Sequence, residues 1–342
     1  MFASRILLAV LWLGTAAIEV RADAEPARIL FLGDSITQAG HYVDYVEATL
    51  RLHAVENDQT PPDVVNLGLS SETVCGMTEA GHPFPRPNVH SRLRAALREI
   101  KPDVVFACYG MNDGIYMPLD ERRLDCYREG IRRLVRDVLA TGAELVLLTP
   151  PPFDAAGRVA GGKKVVTAAQ QEAGTIGLYE NYDDVLAEYA GVVRAIPEEK
   201  EFADSQVSVI DIRTPMLRAT ERGREQSSSF TLAGDGIHPG LPGHRLIAET
   251  ILHSRAAPKS RIDQSTAAGK AVIDAVRSRS QALRHSYMAA IGNDHPNQQE
   301  GEPLETSLPA AEESNARIVQ LLDAYLTAAE PTLQPQPSAG PN

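Results

Sequence analysis

Four short blocks of the sequence gather the residue types that nucleophilic catalysis uses. The first reads Gly33-Asp34-Ser35-Ile36-Thr37 and follows directly on an apolar run. Its glycine permits a tight turn, and Ser35 falls at the entrance of a helix, where unpaired N–H groups and the positive dipole end favour a developing oxyanion. The same serine would serve equally as a helix cap. In the second block, Asn66-Leu67-Gly68, the glycine lets a backbone N–H approach a substrate closely. In the third, Gly110-Met111-Asn112-Asp113-Gly114, the Asn112 amide either points where the other donors point or caps the next helix. The fourth, Gly234-Asp235-Gly236-Ile237-His238-Pro239, sets a carboxylate three residues before an imidazole. That spacing lets Asp235 hold His238 from behind and leaves the other ring nitrogen free as a base.

These blocks need a scaffold to bring them together. Nearly continuous apolar runs at 28–32, 64–67, 104–109, 145–149 and 207–212 read as strands covered on both faces. Between them, 42–52, 89–100, 121–140 and 178–196 show helical spacing, with Ile131, Leu134, Val135 and Val138 on one stripe, and 241–252 closes the series. Five parallel strands with right-handed crossovers predict a doubly wound α/β sheet, in which ligands bind outside the carboxyl ends of the strands. The first three blocks lie at such ends. Residues 154–175 break the rhythm with Gly, Ala and Lys and read as a long loop or partial lid. After residue 254 come two helical stripes, Val272, Val276, Leu283, Tyr287 and Ile291, then Ile318, Leu321, Leu322 and Tyr325. The stretch 293–311 between them is polar and Pro-bearing, and 331–342 is a Pro-rich, disordered tail by composition.

In this order the four blocks resemble the SGNH, or GDSL, hydrolase superfamily over about residues 28–254, with Ser35, Gly68, Asn112 and His238 as the signature residues. The resemblance implies a flavodoxin-like three-layer α/β/α sandwich with sheet order 2-1-3-4-5, plus a helical C-terminal extension. It also implies a serine esterase. Ser35 would attack the ester carbonyl, His238 would take its proton, and Asp235 would steady the imidazolium. The oxyanion would be held by the N–H groups of Ser35 and Gly68 and by the Asn112 side chain. Asp34 and Asp113 would shape their loops through hydrogen bonds. Tyr116 and Met117, just after the third block, either line the acyl pocket or pack beneath the loop. The G-x-S-x-G elbow of α/β-hydrolases is absent.

Composition narrows the field further. Among 342 residues, 45 acidic against 33 basic side chains give a net charge of −12, which argues against a nucleic-acid partner. The nine histidines form no close ligand cluster, so neither a metal nor a cofactor is expected. Gly157 to Lys164 approaches a phosphate-binding loop, but Lys164 stands where a Ser or Thr must sit, and Lys163 and Lys164 read as solvated charges. His244 reads as a surface or packing residue. Three cysteines are too few for a disulfide framework: Cys108 reads as buried, and a Cys75–Cys126 bridge stays open.

Residues 1–24 carry Arg5, a 12-residue apolar run at 6–17 and the small-x-small site Ala22-Asp23-Ala24, the pattern of a cleavable export signal. The run is shorter than the ~18 residues of a membrane span. The expected product is therefore secreted or periplasmic, without stable membrane insertion, and lacks Trp12, the sole tryptophan. The expected divisions are a signal at 1–24, the hydrolase unit at 25–255, a helical extension at 256–330 and the tail at 331–342. The expected activity is hydrolysis of small acyl esters, on a small molecule or as acetyl groups on a glycan. A lipid-directed esterase, lysophospholipase or thioesterase is the chemical alternative, and a non-catalytic binding protein on the same scaffold is the alternative of another class. Acyl transfer to another alcohol uses the same residues, and the oligomeric state is left open.

Overall fold

Alternate residues of a strand point to opposite faces of its sheet, so strands with helices on both sides must be apolar throughout. In the computed structural model, which describes residues 9–12, 17–20, 26–255, 261–297 and 300–329, this is how the core is divided. Leu30, Leu32, Val105, Ala107, Leu145 and Leu147 enter one core, while Ile29, Phe31, Val104, Phe106, Val146 and Leu148 enter the other. The strands are β1 (Arg28–Gly33), β2 (Asp63–Asn66), β3 (Val104–Cys108), β4 (Glu144–Leu148) and β5 (Val207–Ile210). All pair in parallel in the order β2-β1-β3-β4-β5, the order the resemblance implies. The order reverses beside β1, so the switch-point crevice opens at the end of the strand that delivers Ser35.

On one face lie α3 (Leu93–Ile100), α4 (Glu121–Leu139) and α7 (Tyr182–Ala195). On the other lie α2 (His41–Glu56), α8 (Arg213–Gln226) and α9 (Leu241–Ser254). A five-residue helix, α1 (Ser35–Ala39), follows β1 directly. The expected helix at 89–100 is split into a single 3₁₀ turn, Val89–Ser91, and α3. The loop region at 154–175 holds two short helices, α5 (Ala155–Ala160) and α6 (Ala168–Glu172), and Val166 bridges to Tyr179 just beyond it.

The C-terminal extension forms a helical hairpin, α10 (Ala267–Ile291) and α11 (Leu304–Ala329). α11 starts within the stretch expected to be a polar connection. Pro309 is its sixth residue, early enough that the missing N–H costs a single bond near the helix start. α10 covers the edge strand β2: the Arg279 guanidinium donates to Val64 O at 3.3 Å and pairs with Asp63 and Glu47. An exposed edge is thereby closed to pairing with another chain.

Cys108 is buried, and Cys75 and Cys126 are free thiols, the latter donating to Cys75 O at 3.4 Å. Of residues 1–24, read above as an export signal, only two strands, Ala9–Trp12 and Ala17–Val20, paired antiparallel, are described. The tail at 331–342 lies outside the described residues. Among the described residues no helix is long and apolar enough to cross a membrane.

Candidate active site

Each chemical group is delivered by an element end. β1 runs into Asp34, whose Oδ1 accepts from Ile36 N at 2.9 Å and caps α1, so Ser35 sits in the first turn with its own N–H outside the helical ladder. His238 and Asp235 lie on the turn before α9. Ser35 Oγ is 2.8 Å from His238 Nε2, and His238 Nδ1 is 2.7 Å from Asp235 Oδ2. Asp235 Oδ1 accepts from the backbone N–H groups of His238, at 2.7 Å, and Ile237, at 2.9 Å. Desolvation works to raise the Asp235 pKa, yet these bonds together with the nearby imidazole outweigh it and bring the carboxyl down to about 2. The carboxylate is therefore ionised at neutral pH and fixes Nδ1 as the protonated nitrogen, leaving Nε2 to accept from the serine hydroxyl.

Asn112 lies beyond the end of β3 and is buried. Its Nδ2 donates to Glu72 O at 3.2 Å, and its Oδ1 accepts from Tyr116 Oη at 3.0 Å. These partners set the amide's orientation, since a flip would bring Oδ1 against a carbonyl oxygen. One Nδ2 hydrogen is left for another acceptor. Glu72 is itself fully buried, gripped by Arg92 through two contacts of 2.6 Å and by Tyr109 Oη at 2.7 Å. Arg92 also donates to Leu67 O at 2.7 Å and to Met288 Sδ of α10 at 3.6 Å.

Asp34 and Asp113 shape loops. Asp113 Oδ1 accepts from Val74 N at 2.8 Å and Cys75 N at 3.0 Å. Burial pushes both carboxyls up, Asp34 to about 7 and Asp113 to about 6. His244 is buried against the His41 and Tyr42 rings, with its pKa lowered to about 3 chiefly by that burial. Lys163 Nζ is 4.0 Å from Asp235 Oδ2, and Lys164 is exposed. Tyr116 and Met117 wall a cleft of about 280 Å³, together with Glu79, His82, Gln171 and Ile176.

Gly68 has a local partner of its own. Its N–H donates to Asn66 Oδ1 at 2.9 Å, so the expected oxyanion donor is already engaged. The glycine is needed for packing: a Cβ there would lie 2.7 Å from Gln38 Cα and closer still to Gln38 N, so only glycine lets this loop approach α1. Sequence reasoning passed over Ser71. It holds a left-handed backbone with φ of 62°, and among the described residues nothing accepts its N–H. It immediately precedes Glu72, whose carbonyl Asn112 touches. No sequence signal marks it, because serine does not announce a left-handed position as glycine does.

A hydroxyl, an imidazole and a carboxylate linked in this order at the switch point of a parallel sheet define a hydrolase scaffold of the serine-nucleophile class. The sequence agrees at the level of family: the chain belongs to the GDSL-like Lipase/Acylhydrolase family, matched over residues 31–246, and is an ester-bond hydrolase. Comparison with curated proteins finds no match. Among solved structures it is similar to a catalytic mutant of Axe2, an acetylxylan esterase from Geobacillus stearothermophilus, at 23% identity over 70% of this chain and 100% of that one, with a TM-score of 0.46. A member of the lipolytic protein G-D-S-L family from Veillonella parvula matches at 16% identity over 66% and 97% of the two chains, TM-score 0.42. A gut microbial diltiazem-metabolizing enzyme matches at 17% identity and TM-score 0.47 over 68% of this chain, which spans 47% of that protein's length.

Proposed function

We propose that the protein is a serine esterase that removes short acyl groups, acetyl among them, from polyhydroxylated alcohols such as carbohydrates. The carrying observation is the relay of 2.8 and 2.7 Å from Ser35 through His238 to Asp235. In this reading His238 takes the Ser35 proton as Oγ bonds to the carbonyl carbon. The same imidazolium then protonates the departing alkoxide as the ester C–O bond breaks. Water, deprotonated by His238, releases the acid from the acyl-enzyme. The oxyanion is received by the N–H of Ser35, the free Nδ2 hydrogen of Asn112 and the N–H of Ser71.

The cleft beside Tyr116 and Met117 supports the substrate class. At about 280 Å³ it stands at the small end of the ~300–1,000 Å³ typical of small-molecule sites. Its wall mixes Ile115, Tyr116, Met117 and Leu178 with the hydrogen-bonding groups of Glu79, His82, Gln171 and Thr175, which suits a compact, hydroxyl-bearing substrate more than a long alkyl chain. Export, read from the pattern at 1–24, would place the enzyme where extracellular or periplasmic glycans occur.

The test is hydrolysis of acetyl through decanoyl nitrophenyl esters, with fluorophosphonate labelling of the enzyme and of Ser35→Ala. Short-chain preference and a label lost with Ser35 support the proposal. An optimum at decanoyl overturns the short-acyl reading, and full activity in Ser35→Ala overturns the nucleophile.

A further inference from the structure

Asn112 is held at both ends of its amide, and the two holders differ in kind. Glu72 O, on the Nδ2 side, belongs to a loop locked by the buried Glu72–Arg92 pair. Tyr116 Oη, on the Oδ1 side, belongs to a loop that leans on the lid region. Tyr116 and the preceding Ile115 both adopt left-handed backbones, φ 54° and 48°, a strained pair for non-glycine residues. Residues 166–179 hold the Tyr116 carbonyl. Tyr116 O accepts from Tyr179 N at 3.0 Å and from Gln171 Nε2 at 3.0 Å, and Gln171 Nε2 also donates to Gly177 O at 2.7 Å. The ring packs against Tyr182, 4.9 Å between centroids, and lies under the Arg86 guanidinium, 5.5 Å from its centroid. Burial raises the phenol above its ordinary range, so its O–H stays a donor at any working pH.

We propose that Tyr116 is a positioning residue that aims and polarises the Asn112 amide at the oxyanion, and that Gln171 of the lid region holds Tyr116 in the conformation that does so. A hydrogen bond accepted at Oδ1 withdraws electron density from the amide nitrogen and strengthens the free N–H as a donor, as chained hydrogen bonds polarise one another. Gln171 and Tyr116 both line the cleft, so an occupant of the cleft lies against the two residues that set the donor. The same contact that recognises the substrate then improves the donor that stabilises its transition state, which is how binding away from the reacting carbon raises kcat. The inference rests on the reading of Asn112 as an oxyanion donor.

A double-mutant cycle tests both while keeping them apart. Asn112→Ala is expected to lower kcat by about 10² to 10³, as loss of one such donor does. Tyr116→Phe keeps the ring and loses only the hydroxyl; kcat for a short acyl ester should fall about tenfold, the worth of one hydrogen bond, with KM nearly unchanged. Gln171→Ala, which leaves the phenol intact, should shift kcat in the same direction by a smaller factor. In the Asn112→Ala background neither substitution should lower kcat further. Equal losses in both backgrounds, or an unchanged kcat in Tyr116→Phe alone, overturn the positioning role. Full kcat in Asn112→Ala overturns the donor reading itself, and the inference with it.

Discussion

Asp34 sits beside Ser35 with its carboxyl buried, and that burial should be visible as a pH dependence of stability. The carboxyl is pushed up to about 7 from the ordinary 3.8, first by desolvation, with the charges of Asp113 and Glu72 adding to it. Below pH 3.8 the group is protonated in both the folded and unfolded chain and makes no difference. Between there and about 7 only the folded chain keeps the proton, so stability falls as pH rises, by ~1.4 kcal/mol per pH unit and at most about 4 kcal/mol for this group. Asp34→Asn removes the ionisation while keeping an oxygen to accept from Ile36 N, and Asn caps helices as well as Asp. The added NH₂ lacks an assured partner and costs about 1–3 kcal/mol at every pH. The diagnostic quantity is therefore the change with pH: the Tm of the variant minus that of the wild type should be several degrees more positive at pH 8 than at pH 5, at roughly 2–4 °C per kcal/mol. A difference that stays constant from pH 5 to pH 8, in thermal unfolding followed by circular dichroism, would refute the reasoning.

Three further substitutions have defined outcomes. Asp235→Asn deprives Nδ1 of its carboxylate and should lower kcat by up to about 10⁴ at pH 7 without unfolding the chain; a loss below tenfold would sink Asp235 as the residue that orients His238. Gly68→Ala drives a Cβ into the backbone of α1 and should destabilise by about 1–3 kcal/mol, so an unchanged urea midpoint would contradict the packing account. Arg92→Met leaves the Glu72 carboxylate buried with only Tyr109 to answer it, and should cost about 3–5 kcal/mol of stability; a cost under about 1 kcal/mol would show that the pair is not what fixes this loop.

The parts of the site that were legible in the sequence are those where residue type and local spacing carry the information. Asp235 and His238 are three residues apart on one turn, and Gly33-Asp34-Ser35 leaves a strand for a helix, so each block announces its local geometry. Their meeting across 203 residues follows from the strand order, itself legible because fully buried parallel strands are apolar at every position. What was not legible turns on backbone conformation and packing at single residues. Glycine marks both tight packing and unusual dihedrals, so Gly68 reads as a donor where the structure shows close packing, while the left-handed position falls on Ser71. Tyr116 reaches Asn112, four residues earlier, only because two consecutive residues take left-handed backbones that side chains disfavour. α8 was missed because it buries only Arg213 and Met216, too little for an apolar stripe.

The two halves of the site are built to different standards, and the difference matches the work assigned to each. Asn112, Glu72, Arg92 and Tyr109 are all at most 4% exposed and joined by hydrogen bonds of 2.6–3.2 Å. Donors to a developing oxyanion gain most when they are fixed beforehand in a medium that excludes water, because no reorganisation is then needed at the moment of reaction. The His238 side chain, by contrast, is 48% exposed, with Asp235 as its tether. Deacylation needs a water at Nε2 after the alcohol has left, and a base sealed in the core could not receive it. The rigid half reaches as far as α10, whose Met288 packs on Arg92. The helical extension, which carries no catalytic block, thus closes the sheet edge and also backs the Arg92–Glu72 pair, whose Glu72 carbonyl holds Asn112.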